Sequence, residues 1–278
     1  MKTRFLLGAL LLFVCSLAGC SDDDNNGGNN GNDPLTPFSL EKTYYEVRLE
    51  HSAIDIPIIN GSRDISLSVA DETILEANKI LNEGGCIYVS LQGKKKGNTT
   101  LTLTDNVTGD KETVEVKVTD CYIAYGIAES NHPALTSNII LYLINNEARD
   151  CYFFSRDNLN HQQYNTPLAK GTYEFLVKAE GEEKVPYLRL NYPADEAGNL
   201  AQDAPMEAHD FALSFNNSQA VLEIIKGYLN VDWEELISNA TAKSIPPRDD
   251  SMTMTVPDTK YEIIGAFGTV DIPEGVLD

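Results

Sequence analysis

The chain has 278 residues, is 42% hydrophobic and carries a formal charge of −21. Such an acid excess repels phosphate backbones and anionic lipid faces, which excludes nucleic acid as a natural partner and charge as a membrane anchor. The length suits one large or two ordinary domains.

The first residues follow the order of an export leader. Lys2 and Arg4 give a positive start, Phe5 to Ala18 form an uncharged apolar run, and the small residues Ala18 and Gly19 precede Cys20. The run falls short of the roughly 20 apolar residues that a membrane-spanning helix needs. Leu17-Ala18-Gly19-Cys20 resembles the lipobox of bacterial lipoproteins. The resemblance implies that residues 1–19 are a signal peptide and that Cys20 is acylated and becomes the new N-terminus. Several acyl chains hold lastingly, since each buried methylene contributes about 0.8 kcal/mol. Loss of Lys2 and Arg4 with the leader would make the remainder more negative by two charges.

Residues 20–36 are rich in Asn, Gly and Asp and bury too little apolar surface to offset the entropy of ordering, so they read as a disordered tether. A flexible segment of about sixteen residues spans roughly 20–24 Å, enough to lift a folded body off the headgroups. Ser21-Asp22-Asp23-Asp24 is similar to the acidic export tag of Gram-negative surface lipoproteins, which implies an outer-membrane address facing outward. A merely soluble acidic tether is the plainer reading.

With Cys15 removed and Cys20 modified, Cys86, Cys121 and Cys151 remain. None has metal-ligand spacing, and an odd number leaves at least one thiol without an intramolecular partner. A Cys121–Cys151 bridge and three buried small side chains both fit the sequence.

From 38 to 119, turn residues alternate with segments rich in Val, Ile and Thr, the pattern of an all-β chain. Strands are expected at Tyr44–Leu49, Ile54–Ile59, Ile65–Val69, Cys86–Leu91, Thr99–Thr104 and Thr113–Thr119. In the last, valines alternate with polar residues, so one face meets a core and the other water. Asn106 to Lys111 reads as the preceding hairpin turn, with Gly109 able to take positive φ. "ISLSVADETILEAN" followed by "GCIYVSLQGKKKGNTTLTLTDNVTGDKETVEVKVTD" resembles bacterial immunoglobulin-like domains of the Big family. Asp71-Glu72-Thr73-Ile74 and Lys96-Gly97-Asn98-Thr99-Thr100 occupy the family's two turns; its frequent tryptophan is absent, with Leu67 near that place. The resemblance implies a two-sheet sandwich over residues 37–119 that serves as a spacer or adhesion module and carries no catalytic residues.

Residues 120–278 read as a second β-rich domain, sandwich- or jelly-roll-like, with one or two amphipathic helices. Strands are expected at Tyr122–Ala128, Asn138–Ile144, Cys151–Phe154, Thr172–Lys178, Pro186–Asn191, Phe211–Phe215, Met252–Val256 and Tyr261–Phe267. Ile139 to Ile144 is continuously apolar and belongs at a centre covered on both faces. Ser218–Leu229 is the clear helix, because Val221, Leu222, Ile225, Tyr228 and Leu229 share one face. Asp232-Trp233-Glu234-Glu235 reads as a second helix start, ended by Pro246-Pro247.

No G-x-S-x-G, H-E-x-x-H or phosphate-binding glycine loop is present. His51 and His161 stand in polar contexts and His132 in a turn before Pro133. His209 lies among Asp195, Glu196, Asp203, Glu207 and Asp210, a set that offers oxygen ligands to a hard cation or simply forms a solvated acidic loop. The spacing does not match an EF-hand, and the separation that a glycosidase pair requires is not readable from sequence. No metal, cofactor or catalytic residue is assigned. The second domain is rich in tyrosine, whose flat face and hydroxyl suit sugars and proteins. Tyr164 and Tyr192, read as loop residues, are the ligand-binding candidates. Asp250-Ser251-Met252 resembles a short O-glycosylation acceptor.

The sequence therefore leads to an expectation of a lipid-anchored, non-catalytic surface lipoprotein. An Ig-like spacer would present a β-rich head that binds a glycan or another surface protein. A polysaccharide hydrolase with carboxylates in the second domain and a surface-filament or adhesion subunit are the alternatives.

Overall fold

A computed structural model describes residues 36–49, 54–81, 86–157, 162–163, 165–181, 183–196, 198–215, 218–232 and 251–277. The leader, Cys20, the tether, His51, His161, Tyr164, Asp250 and the segment from Trp233 through Pro247 lie outside the described residues. The described part belongs to one unit, Leu35–Asp278, built from two β bodies.

The first body comprises β1 (Tyr44–Arg48), β2 (Ile54–Pro57), β3 (Ile65–Val69), β4 (Leu75–Leu81), β5 (Ile87–Gly93), β6 (Gly97–Asp105) and β7 (Lys111–Thr119). They form two sheets, β1-β7-β6-β3 and β2-β5-β4, with β1 parallel to β7. This is a seven-stranded sandwich. Val114, Val116 and Val118 face its core, packed with Val47, Leu91 and Leu101, while Glu115 and Lys117 point away. Asp105, fully buried, organises the turn before β7. Its carboxylate accepts the Ser62 hydroxyl and the N–H groups of Ser62 (2.7 Å), Val107 (2.9 Å) and Thr108 (3.2 Å), which hold its pKa down to about 2. Gly109 takes φ 81° in the same turn, as the sequence requires.

The second body contains β8 (Tyr122–Ser130), β9 (Ile139–Ile144), β10 (Asp150–Asp157), β11 (Gln162–Gln163), β12 (Ala169–Glu180), β13 (Glu183–Pro193), β14 (Met206–Phe215), α1 (Ser218–Leu229), β15 (Ser251–Thr255) and β16 (Glu262–Gly268). Apart from the two-residue β11, each strand pairs antiparallel with the next, and β16 returns to β8. The mainly β class stands, but the arrangement is a closed eight-stranded ring rather than a second sandwich or jelly roll. Every neighbour in the ring is the next strand along the chain, so no crossover is needed. Closure removes the free edges that a sheet would otherwise expose.

All eight ring strands send alternate side chains into one interior cluster, which includes Ile123, Leu141, Phe153, Leu190, Phe211 and Met254. The ring is therefore a filled barrel, as small barrels are. Val221, Ile225 and Leu229 of α1 join that cluster. The helix ends at Asn230, which has φ 52° and returns its N–H to the Lys226 carbonyl at 3.0 Å. Arg149, in the turn between β9 and β10, donates to the Leu229 carbonyl at 2.7 Å, a cation at the negative end of the helix. In β9 the odd residues face the interior while Ile140, Tyr142 and Ile144 enter a second cluster outside the barrel, so this strand is covered on both faces.

The tyrosines of this body are mostly core residues. Tyr125, Tyr142 and Tyr173 bury their rings and donate their hydroxyls to the carbonyls of Met252 (2.7 Å), Asp271 (2.9 Å) and Ile144 (3.0 Å). Each phenol thus fills apolar volume while satisfying a backbone acceptor.

Candidate functional site

Only Asp120 and Cys121 separate β7 from β8. Residues 269–277, after β16, run back against the sandwich. Ile272 and Leu277 bury their side chains beside Tyr122, Ile140 and Tyr142, and Lys117 donates to the Leu277 carbonyl at 2.6 Å. Arg48 of β1 is the hub. Its guanidinium lies 4.0 Å from the centre of the Tyr122 ring, donates to the Thr269 carbonyl at 3.2 Å and pairs with the Asp271 carboxylate. Glu46 accepts the Tyr44 hydroxyl (2.7 Å) and the Gly275 N–H (3.1 Å); burial first and this carboxylate second raise the Tyr44 pKa to about 12.

Between the bodies lies a cleft of about 530 Å³. One wall comes from β1 and β2, with Tyr45, Ile54, Asp55 and Pro57; the other comes from Tyr228 of α1 and the tail around Asp271. Tyr122 and Thr119 line it at the connector. Tyr45 and Tyr228 are half-buried, and burial raises both phenols above their ordinary pKa. Asp55 and Glu41 are exposed at the rim. The cleft offers two aromatic rings, an aliphatic flank and carboxylate acceptors, a combination suited to holding a small polar molecule by one face.

The residues singled out by sequence lie elsewhere. Tyr192 is not in a loop. It sits in β13, fully buried inside the barrel, with its ring stacked on His209 at 4.1 Å, so its face serves the core and is not open to a ligand. Pro193 suggested that the strand stopped early, but as its last residue it pairs with Met206 without needing an N–H toward a further partner. His209 is likewise a strand residue, on β14. Asp210 points to the barrel's outer side, where Arg189 (2.7 Å) and Lys178 hold its pKa to about 2. Asp195 instead accepts from Asn199 in its own turn. The acids around His209 are thus dispersed, and among the described residues no three His, Cys, Asp or Glu side chains converge to hold a metal.

His132 does lie in a loop, but it is buried there. No bridge joins Cys151 to Cys121, and Cys151 is a buried thiol whose pKa burial pushes up. Ser251 is buried in β15 opposite Ala266, which withdraws it from a glycosyl donor. The cleft was not legible in sequence. Its lining is drawn from residues 41–57, the connector, one helix position and the tail, and no local motif links these segments.

The fold and cleft define a two-body, mainly β chain. No family model matches it, and no curated protein matches it significantly. Among solved structures it is similar to the S-layer protein rSbsC(31-844), with 11% identity and a TM-score of 0.29 over 65% of this chain. It is also similar to SbsC domains 4–9, with 10% identity and a TM-score of 0.27 over 82% of this chain and 38% of that one. The chain spans about a quarter of the first of these, 24%. Likeness of this degree carries no inference about role.

Proposed function

We propose that the protein is a lipid-anchored, outward-facing envelope lipoprotein without catalytic activity that binds a glycan in the cleft between its two bodies. Cys20 carries the anchor, residues 20–36 form the tether, and the sandwich is a Big-type spacer that also supplies one wall of the site. The observation that carries the reading is the pairing of half-buried Tyr45 and Tyr228 with rim carboxylates in one cleft. Flat amphipathic rings beside acceptors match the apolar faces and hydroxyls of sugars. Assembly by strand addition has less support. β2 is an edge strand beside the cleft, and Pro57 leaves it without one of the donors that an added strand would need.

Labelled palmitate should enter the full-length protein and fail to enter Cys20→Ser. On a glycan array the purified protein should retain a defined subset of sugars, and Tyr45→Ala with Tyr228→Ala should weaken that retention by about tenfold or more. Turnover of a polysaccharide without retained binding would replace this reading with the hydrolase.

A further inference from the structure

We infer that the sugar held in the cleft is an amino sugar, with its ring against Tyr45 and Tyr228 and its protonated amine directed to the carboxylates of Glu41 and Asp55. The inference rests on the glycan-binding reading above and adds to it the charge of the ligand.

The charges that line the cleft divide into paired and unpaired groups. The cleft is lined by the acids Glu41, Glu46, Asp55, Asp271 and Glu274 and the bases Lys42 and Arg48. Arg48 is firmly engaged and Lys42 only loosely. Arg48 is held by Asp271, two tail carbonyls and the face of Tyr122, and Lys42 lies 3.5 Å from Glu274. Three of the acids are engaged as well, since Asp271 and Glu274 face those bases and Glu46 receives the Tyr44 hydroxyl and the Gly275 N–H. Among the described residues Glu41 and Asp55 have no ion-pair partner. What remains for a ligand is therefore net negative, two carboxylates against one loosely paired and exposed ammonium, with tyrosine and threonine hydroxyls beside them. An acidic sugar meets more negative than positive charge there, a neutral sugar finds acceptors for its hydroxyls, and an ammonium adds a charge-assisted bond.

The frame for that charge is a ring. The wall beside that charge is aromatic and aliphatic, with the half-buried phenols Tyr45 and Tyr228 near Ile54 and Pro57. Pro57 also denies an extended peptide part of its ladder along β2. The volume of about 530 Å³ falls within the range of small-ligand sites, roughly 300–1,000 Å³. A cationic sugar unit therefore fits the cleft better than a basic peptide does.

Calorimetric titration of the purified full-length protein with the disaccharide of glucosamine, its N-acetylated counterpart and trilysine tests this. The amino disaccharide should bind at least about tenfold more tightly than the N-acetylated one and than trilysine, and raised salt should narrow the gap. Asp55→Asn combined with Glu41→Gln should remove the preference and leave weak binding of both sugars. Both positions are exposed, and an unchanged urea midpoint verifies that the variant is folded. Equal affinity for the two disaccharides, tighter binding of trilysine, or no heat from the amino disaccharide would each overturn the inference. If other glycans are still retained on the array in that case, the binding reading survives its loss; if none is, both fall.

Discussion

At the mouth of the barrel, in the loop after β8, His132 is 7% exposed and its Nδ1 accepts the N–H groups of Ala134 and Leu135, each at 3.2 Å. Its ring meets the edges of Phe211 and Tyr261. Burial, reinforced by nearby His209, lowers its pKa from 6.5 to about 4. His209 is lowered too, chiefly by burial, against the opposing pull of Glu207 and Asp210. Both imidazoles are therefore neutral in the native state at neutral pH. The unfolded chain takes up protons from about pH 6.5 downward, whereas folded His132 does so only near 4. Stability is thus fully present above pH 6.5 and is lost as the pH falls toward 4, by about 2–3 kcal/mol. Urea midpoints measured across that window should fall accordingly. The decline should flatten in His132→Asn, which retains a side-chain acceptor for the loop. Asp105 and Asp210, held near 2, act in a lower window, between about pH 4 and 2, and do not obscure the effect. A level midpoint between pH 6.5 and 4 would contradict the neutral imidazole.

Among the elements, α1 seals the barrel and is the sharpest test of its packing. Ile225 is fully buried in the interior cluster, so Ile225→Ala should cost about 2–5 kcal/mol in chemical denaturation, while exposed Glu223→Ala should stay within about 0.5 kcal/mol. The helix was legible because its apolar stripe has the 3.6-residue period and no tertiary partner had to be known. β3 and the valine alternation of β7 were legible for the corresponding period-two reason. β4, "LEANKIL", was not. Only Leu75 is buried, and the rest of the strand is an edge with Ile80 and Leu81 turned to solvent, held by backbone pairing to β5. β11 is two glutamines long and leaves no pattern at all. Tyr192 misled because the adjacent proline carries a turn signal that the strand overrides, and a sequence does not reveal which side of a ring a residue faces.

For the whole molecule, the geometry of the cleft depends on how firmly the tail binds the sandwich to the barrel. Arg48→Ala removes the ring contact with Tyr122 and the bonds to the tail, and leaves Asp271 in solvent, where its side chain is already 88% exposed. The expected loss is about 1–2 kcal/mol. The clearer signature should be in ¹⁵N relaxation, with residues 269–277 gaining fast motion and the two bodies tumbling less as one. Unchanged relaxation would mean that Ile272 and Leu277 suffice to hold the tail. The contacts that hold the two bodies together were not readable beforehand, because they join β1 to a segment more than 200 positions later.

The return of β16 to β8 also dictates an order of assembly. The sandwich has all its strands once the chain is built through Thr119, whereas the first barrel strand must wait for the last before its outer edge is covered. Until then β8 and the most recently added strand present unsatisfied ladders to any neighbouring polypeptide, the state most exposed to misassociation. A cell that makes this protein therefore has to shield a half-closed barrel for the interval in which residues 131–262 emerge, and a chain cut short before β16 would be left as a sticky fragment attached to a sound sandwich.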